Sequence, residues 1–252
     1  STQGVSSAAS DVYKRQDLWK EDKKTETNEV MFALQHSAKH KIARNYGKSY
    51  YPSDYSPNAG WADYYGNEDF FKAYPNDDRK EWNYMTEWKI KSGEIIPYTE
   101  SADKLPAISK YYDYDEGAPG KSAQSNGITC IYRYAEVLLM YAEASTRATN
   151  SVNQDALNAI QEVQKRAGYQ NRQIELTTTT EPAAFLTAVS NERGWEFFAE
   201  MKRWFELVRL EKVKEVRAEE WDASTFNTNH HYYFPVPYQQ VDLAGWTNNA
   251  GY

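Results

Sequence analysis

The chain has 252 residues, a formal net charge of −7, 15% aromatic residues and a single cysteine. Its Lys and Arg are interspersed with Asp and Glu, which argues against a phosphate backbone as partner, so no nucleic acid is expected. The lone Cys130 excludes an intramolecular disulfide and any multi-cysteine metal site, and no apolar run approaches the roughly 20 residues of a membrane helix.

Taken in chain order, Ser7–Gln16 (SAASDVYKRQ) resembles translated adapter sequence. Residues 1–16 are therefore set aside as a non-native leader, and 17–252 is read as the region proper. Asn28–Gln35 (NEVMFALQ) is a short apolar run that predicts a buried strand. Lys39, His40, Lys41 and Arg44 form a short basic run, read as solvated surface. From Tyr46 to Tyr74 the chain is dense in Gly, Pro, Asn, Asp and aromatics with no sustained period, a long loop too rich in rings to be disordered. Pro75–Asp78 reads as a turn. Trp82, Tyr84, Thr86, Trp88 and Ile90 then alternate with polar residues as in a half-buried strand, with Gly93 turning it.

Helical patterns begin at Ile131. Over Ile131–Ala148, Ile131, Tyr134, Ala135, Leu138, Tyr141, Ala142 and Ser145 share one face, and Arg133, Glu136, Met140, Glu143 and Arg147 the other. Ala135, Ala142, Ala144 and Ala148 would admit a close neighbour, for which Asn153–Ala167 is the candidate. That segment has a capping box at Ser151 and Gln154 and a C-terminal Gly168. The pair reads as an antiparallel hairpin, either of general type or one unit of a tetratricopeptide-like array. A third pattern runs from Ala183 to about Leu210, with Pro182 in its first turn and a bend expected near Gly194 or Met201. Glu192, Arg193, Glu196, Glu200 and Arg203 lie within it at three- and four-residue spacings. They are read as an ion network in preference to catalytic carboxylates, because two acids one turn apart rarely straddle a substrate. Beyond it, Tyr232–Tyr252 carries Pro235 and Pro237 and is expected to run extended.

Together NEVMFALQ from Asn28, RYAEVLLMYAEA from Arg133, NERGWEFFAEMKRWFELVR from Asn191 and the ending FPVPYQQVDL with NNAGY resemble the C-terminal half of the SusD/RagB family of outer-membrane nutrient-binding lipoproteins. Met201 after Glu200, Gln240 and Glu206 depart from the family pattern. The expected fold is mainly α: a helical scaffold with tetratricopeptide-like hairpins, long irregular loops and a few short strands. Within it we distinguish a loop-rich part 17–130, a helical part 131–210 and an extended tail 211–252.

The resemblance implies non-catalytic capture of glycan at the cell surface and delivery to a SusC-like TonB-dependent transporter. It also implies an outer-membrane location through a lipid anchor missing from this chain, and the loss of a front half that family members normally carry. No cofactor and no metal is expected. Rings on a loop suit sugars, whose C–H faces pack on aromatics while hydroxyls seek polar partners. In Asn58–Asn67 (NAGWADYYGN) this selects Trp61 as stacking platform, Tyr64 and Tyr65 as ring or hydroxyl contacts, and Asn58, Asp63 and Asn67 as hydrogen-bond partners. The competing reading is that these rings pin the loop to the body. Tyr111, Tyr112 and Tyr114 form a second patch, read as framework, and Trp82, Tyr84 and Trp88 are assigned to the core. A helical-repeat adaptor and, more remotely, a glycoside hydrolase stay open as other functions, although no carboxylate pair is singled out for the latter. His36, His40, His230 and His231 lack a metal-binding spacing, and Asn76–Asp78 lacks the further ligands of a calcium loop.

Overall fold

The structure is a computed structural model that describes residues 15–20, 23–24, 27–37, 39–42, 45–56, 59–111, 126–216 and 231–252. The chain divides into two compact units, 1–200 and 201–252. In the first, β1 (Val30–Gln35) pairs antiparallel with β6 (Ile128–Arg133). Between them come α1 (Tyr46–Tyr50), α2 (Glu68–Ala73), α3 (Asp78–Asn83), β2 (Tyr84–Met85), β3 (Glu87–Lys89), β4 (Ile95–Pro97) and β5 (Ala107–Ile108). β2 pairs with β5 and β3 with β4, so each sheet has two strands. The helices α4 (Tyr134–Thr149), α5 (Gln154–Arg166) and α6 (Pro182–Glu196) follow. In the second unit, α7 (Arg203–Arg209), α8 (Val213–Val216) and α9 (Tyr238–Ala244) are all short.

This is the mainly helical scaffold with short strands and long irregular segments that the sequence predicts. α4 and α5 form the expected hairpin, and α6 packs with them around Ala135, Leu139, Ala142, Ala156, Ile160, Val163, Phe185 and Val189. Alanines at the contact let the helices approach closely. Pro182 opens α6, where its missing N–H costs nothing, and the Glu181 carboxylate accepts from the Ala183 and Ala184 amides. Gly168 follows α5 at φ +86°, and a Cβ there would overlap the Asp78 carboxylate. Gly93 turns β3 into β4 at φ +94°. A second core gathers Leu18, Trp19, Tyr50, Tyr51, Ile108, Tyr111, Ile128 and Cys130.

Several expectations are corrected. Ile131–Arg133 ends a strand, and the helix starts at Tyr134. The buried face of α4 is Ala135, Glu136, Leu139, Ala142, Glu143 and Thr146, leaving Tyr141 exposed. It is rotated toward its acids because Glu136 meets Arg193 of α6 at 3.6 Å, a pairing that a hydrophobic stripe does not reveal. The α5 N-cap is Asn153, whose Oδ1 accepts from Ala156 N at 2.8 Å, while the Ser151 hydroxyl turns back to Thr149. β1 is largely exposed, not buried. Trp82 belongs to α3, capped by Asp77, so the alternation begins only at Tyr84. The Tyr46–Tyr74 loop contains α1 and α2, and the tail contains α9 after Pro237. α6 stops at Glu196, with Ala199 and Met201 at positive φ before α7.

The ion network is present, but its cations come from other elements. Arg133, fully buried, donates to Glu29 at 2.6 Å, Glu196 at 2.5 Å and Glu200 at 2.8 Å. Arg79 binds Asp77 and Glu192 at 2.6 Å and Glu196 at 2.8 Å. Arg166 reaches Glu29 and Glu196, and Lys110 reaches Glu200 at 2.5 Å. Burial alone would lower the pKa of Arg133, but Glu200, Glu196 and Glu29 outweigh it and hold the guanidinium charged; for Arg79, Glu192 leads the same reversal. Burial pushes the Glu192 carboxyl up, against the pull of Arg79.

Removing one member of such a network strands buried charge. We expect Arg133→Met to cost about 3–5 kcal/mol and to lower the urea midpoint accordingly. By contrast Arg147→Ala, which removes a half-exposed i,i+4 pair with Glu143, should cost about 0.5 kcal/mol or less. Equal effects of the two substitutions would contradict this assignment.

Candidate functional site

The segment 59–67 lies against the C-terminal end of α1 and is held there by its own amides. The last carbonyls of a helix lack intrahelical partners, and here the loop supplies them. Trp61 N donates to Lys48 O at 2.5 Å, and Asp63 N and Tyr64 N donate to Ser49 O at 2.9 and 3.2 Å. Ala62 N donates to Tyr51 O at 3.1 Å and Gly60 N to Pro52 O at 2.9 Å. Farther on, Gly66 N reaches Pro106 O at 2.8 Å, next to β5. Glycine at 60 and 66 is required by close approach: a Cβ would overlap the Tyr51 carbonyl at one and the Tyr84 ring at the other.

On this backbone Trp61 is 56% and Tyr64 62% exposed. Each leans on a side chain of α1. The Lys48 ammonium lies 5.9 Å from the Trp61 ring centroid, and Tyr50 meets Tyr64 edge-on at 6.0 Å. Tyr50 is stacked in turn with Tyr46 and Tyr111, so Tyr64 is the open end of an aromatic series that begins in the core. Burial, with Tyr46 and Tyr64 adding, pushes the Tyr50 hydroxyl up to about 12, and it stays protonated.

The remaining selected residues divide. Asp63 is exposed between the two rings in sequence. Tyr65 is half-buried and donates to Asp103 at 2.8 Å; burial first, and that bond second, raise its pKa. The Asn67 side-chain oxygen is engaged as the α2 N-cap, accepting from Phe70 N at 2.9 Å. Asn58 lies outside the described residues. Thus Trp61, Asp63 and Tyr64 form the open part of the loop, with Tyr65 and Asn67 fixing its far end. Tyr64 packs on Tyr50, as a ring that pins the loop would, while presenting most of its surface.

Lys48, Tyr50 and Asp103 were not singled out from sequence. The i,i+4 pair Tyr46 and Tyr50 was the available signal for α1. In the second patch Tyr111 is core, its hydroxyl donating to Ala199 O at 2.9 Å, and Tyr112 and Tyr114 lie outside the described residues. Tyr84 and Trp88 are buried as expected, Trp88 donating to Asp54 at 2.8 Å, and Trp82 is half-buried. Among the described residues no group of three or more His, Cys, Asp or Glu could hold a metal ion. His36 bonds Ile42 O and Thr129 instead, and His230 lies outside the described residues. No described helix is long and apolar enough to cross a membrane.

Comparison with known proteins agrees with this architecture. The model of the SusD family matches residues 83–252, and the chain belongs to that family. SusD-like protein P2 of Formosa agariphila is 28% identical over 200 residues, which is 72% of this chain and 39% of P2. A SusD superfamily protein from Parabacteroides distasonis superposes with a TM-score of 0.75 at 22% identity, over 95% of this chain and 53% of that one. Surface glycan-binding protein A from Bacteroides thetaiotaomicron, in complex with laminarihexaose, superposes with a TM-score of 0.67 at 23% identity, over 93% and 54%. The chain thus spans 39% of the length of P2 and about half that of these solved structures.

If close backbone approach holds the loop, Gly60→Ala should detach it from the Tyr51 carbonyl. Amide exchange at Trp61, Ala62 and Asp63 should then quicken by about ten-fold or more, while the α4–α6 amides keep their protection. Unchanged exchange at Trp61 would show that the amide contacts do not fix the platform.

Proposed function

We propose that this chain supplies a non-catalytic glycan-binding surface, and that the 59–67 loop makes the contact. The observation that carries the reading is the pair of open rings, Trp61 and Tyr64, on a loop whose amides are tied to the end of α1. A platform fixed in advance loses little entropy when a flexible sugar chain settles on it. Membership of the SusD family, and the shared fold of a glycan-binding protein known in complex with laminarihexaose, support the ligand class.

In this reading the indole of Trp61 stacks on a sugar C–H face and Tyr64 extends the apolar strip. Asp63 accepts from sugar hydroxyls and Lys48 donates to ring or hydroxyl oxygens. Tyr65, Asn67 and Asn58 supply hydrogen bonds at the ends of the loop. Cell-surface placement through a lipid anchor and delivery to a SusC-like TonB-dependent transporter belong to the same proposal and rest on the family resemblance.

The acids in and just beyond α6 offer a hydrolase no catalytic pair. Glu192, Glu196 and Glu200 are buried and held by Arg79, Arg133, Arg166 and Lys110, so none can address a substrate as acid or nucleophile.

With laminarihexaose and a wider glycan panel, Trp61→Ala should weaken binding by about ten-fold or more, the equivalent of ~1.4 kcal/mol of stacking. Affinity electrophoresis and a glycan array read this out, and thermal melting should be unchanged. Binding that survives Trp61→Ala intact removes the loop as the site. Reducing ends released from any glycan on the panel remove the non-catalytic reading.

A further inference from the structure

A cavity of about 300 Å³ opens in the first unit where α3 runs into β2, and no residue of the 59–67 loop lines it. Its wall includes Glu81, Trp82, Met85, Thr86, Glu87 and Ser109. Glu81 and Trp82 stand in the last turn of α3, β2 follows at once, and Ser109 comes directly after β5, the partner of β2. Trp82 is half-buried and held from two sides. Its indole Nε1 donates to Lys110 O at 3.3 Å, and its own carbonyl accepts the Ser109 hydroxyl at 2.6 Å. Lys110 is the buried lysine bound to Glu200, so the ring is tied to backbone that the ion network holds in place.

The chemistry of the wall selects a class of ligand. The indole and the Met85 thioether offer apolar surface, and around them Thr86 and Ser109 bring hydroxyls and Glu81 and Glu87 bring carboxylates. Glu81 is already paired with Arg172 at 2.8 Å, and the Lys20 ammonium lies 5.8 Å from the Trp82 ring centroid. Two of the attractions that would draw a cationic ligand are therefore met within the chain. An anion is opposed by the exposed Glu87 carboxylate, which engages no other described residue. A wholly apolar ligand would cover Thr86 and Glu87 without giving them partners. A neutral ligand with C–H faces and several hydroxyl donors satisfies both parts of the wall. The volume lies at the lower end of small-ligand sites, roughly 300–1,000 Å³, which suits a short saccharide unit and not a long chain taken whole.

We propose that this cavity is a second saccharide site, with Trp82 as the stacking ring, Met85 beside it, and Glu87 and Thr86 bonding the sugar hydroxyls. The class follows from the wall itself, so the proposal stands apart from the reading of the 59–67 loop.

Isotope labelling of the methionine methyl groups tests it by nuclear magnetic resonance in the 252-residue chain. There are four methionines, so Met85 reports the cavity while Met31, Met140 and Met201 report the rest of the fold. The probes are glucose, galactose, mannose, xylose and laminaribiose, titrated singly, with tetramethylammonium and inorganic phosphate as charged controls. At least one sugar should shift the Met85 methyl saturably and leave the other three in place, in the parent chain and in Trp61→Ala alike. Glu87→Ala, a change at an exposed side chain, should weaken that response by about ten-fold, and Trp82→Leu should abolish it. If Trp82→Leu disturbs the other three methyls, Glu87→Ala decides alone. The proposal falls if no sugar moves Met85, if Glu87→Ala leaves the titration unchanged, or if either charged control binds more tightly than every sugar. It falls equally if the response vanishes in Trp61→Ala, because the signal would then originate at the loop. A Met85 response that persists while Trp61→Ala leaves glycan binding intact overturns the loop reading and leaves this one standing.

Discussion

The first unit is organised around Arg133 and the carboxylates that surround it. Arg133 stands where β6 becomes α4, Glu29 where the chain enters β1, Arg166 at the end of α5, Glu196 at the end of α6 and Glu200 just beyond. Arg79 of α3 joins through Glu196 and Glu192. Taking these charges out of water is costly, and their mutual attraction repays it only when the geometry is met in full. The network therefore adds less to net stability than its distances suggest. Its larger effect is on specificity: any arrangement that moves one element end leaves a charge buried alone. Tyr169 and Gln164 extend it by donating to Glu192.

That constraint reaches the aromatic loop through a short stretch of chain. Lys110 is fully buried, its ammonium bound to Glu200 and to Phe198 O. Three residues before it, β5 begins at Ala107 and pairs with β2, and Pro106 O accepts the Gly66 amide. One end of the loop is thus anchored to residues whose position the ion network sets, and the other to the end of α1. The exposed rings sit on backbone fixed at both sides, although almost no side chain of the loop enters the core.

How much of this could be read from the sequence depends on which force set each element. α4, α5 and α6 were legible because burial of an apolar stripe sets them, and Pro182 and Gly168 punctuate them for reasons of backbone chemistry alone. The face of α4 was misread because Glu136 and Glu143 are buried through partners, and hydropathy counts an acid as exposed wherever it stands. The same blindness hid the network: Glu196 and Glu200 were visible as a group, but Arg79, Lys110 and Arg133, which bind those two carboxylates, lie 63 to 117 positions away from them. α1, α2, α3 and α9 are too short to show a period, and Trp82 looked like a strand residue because one residue of a helical turn fits either pattern. In the site, the rings and polar residues of Asn58–Asn67 were legible as a composition. The carbonyls that hold them were not, because backbone hydrogen bonds leave little trace in side-chain identity beyond the glycines at 60 and 66.

Two groups of exposed apolar residues in the first unit, Trp61 with Tyr64 and Met31 with Phe32 and Leu34, differ in chemistry. Trp61 and Tyr64 are rings with a polar edge, on an irregular loop, beside Asp63 and Lys48. Such a surface remains wettable, and a ligand that alternates apolar faces with hydroxyls can satisfy both parts of it. Met31, Phe32 and Leu34 have no polar atom beyond the backbone and lie on a bulged strand whose other side is already core. A sugar there would leave its hydroxyls without side-chain partners. A single fold can keep both groups because they stand on different supports: the loop on backbone amides at the end of α1, the strand residues on register irregularities of the β1/β6 pair that leave the neighbours Met31 and Phe32 both outward.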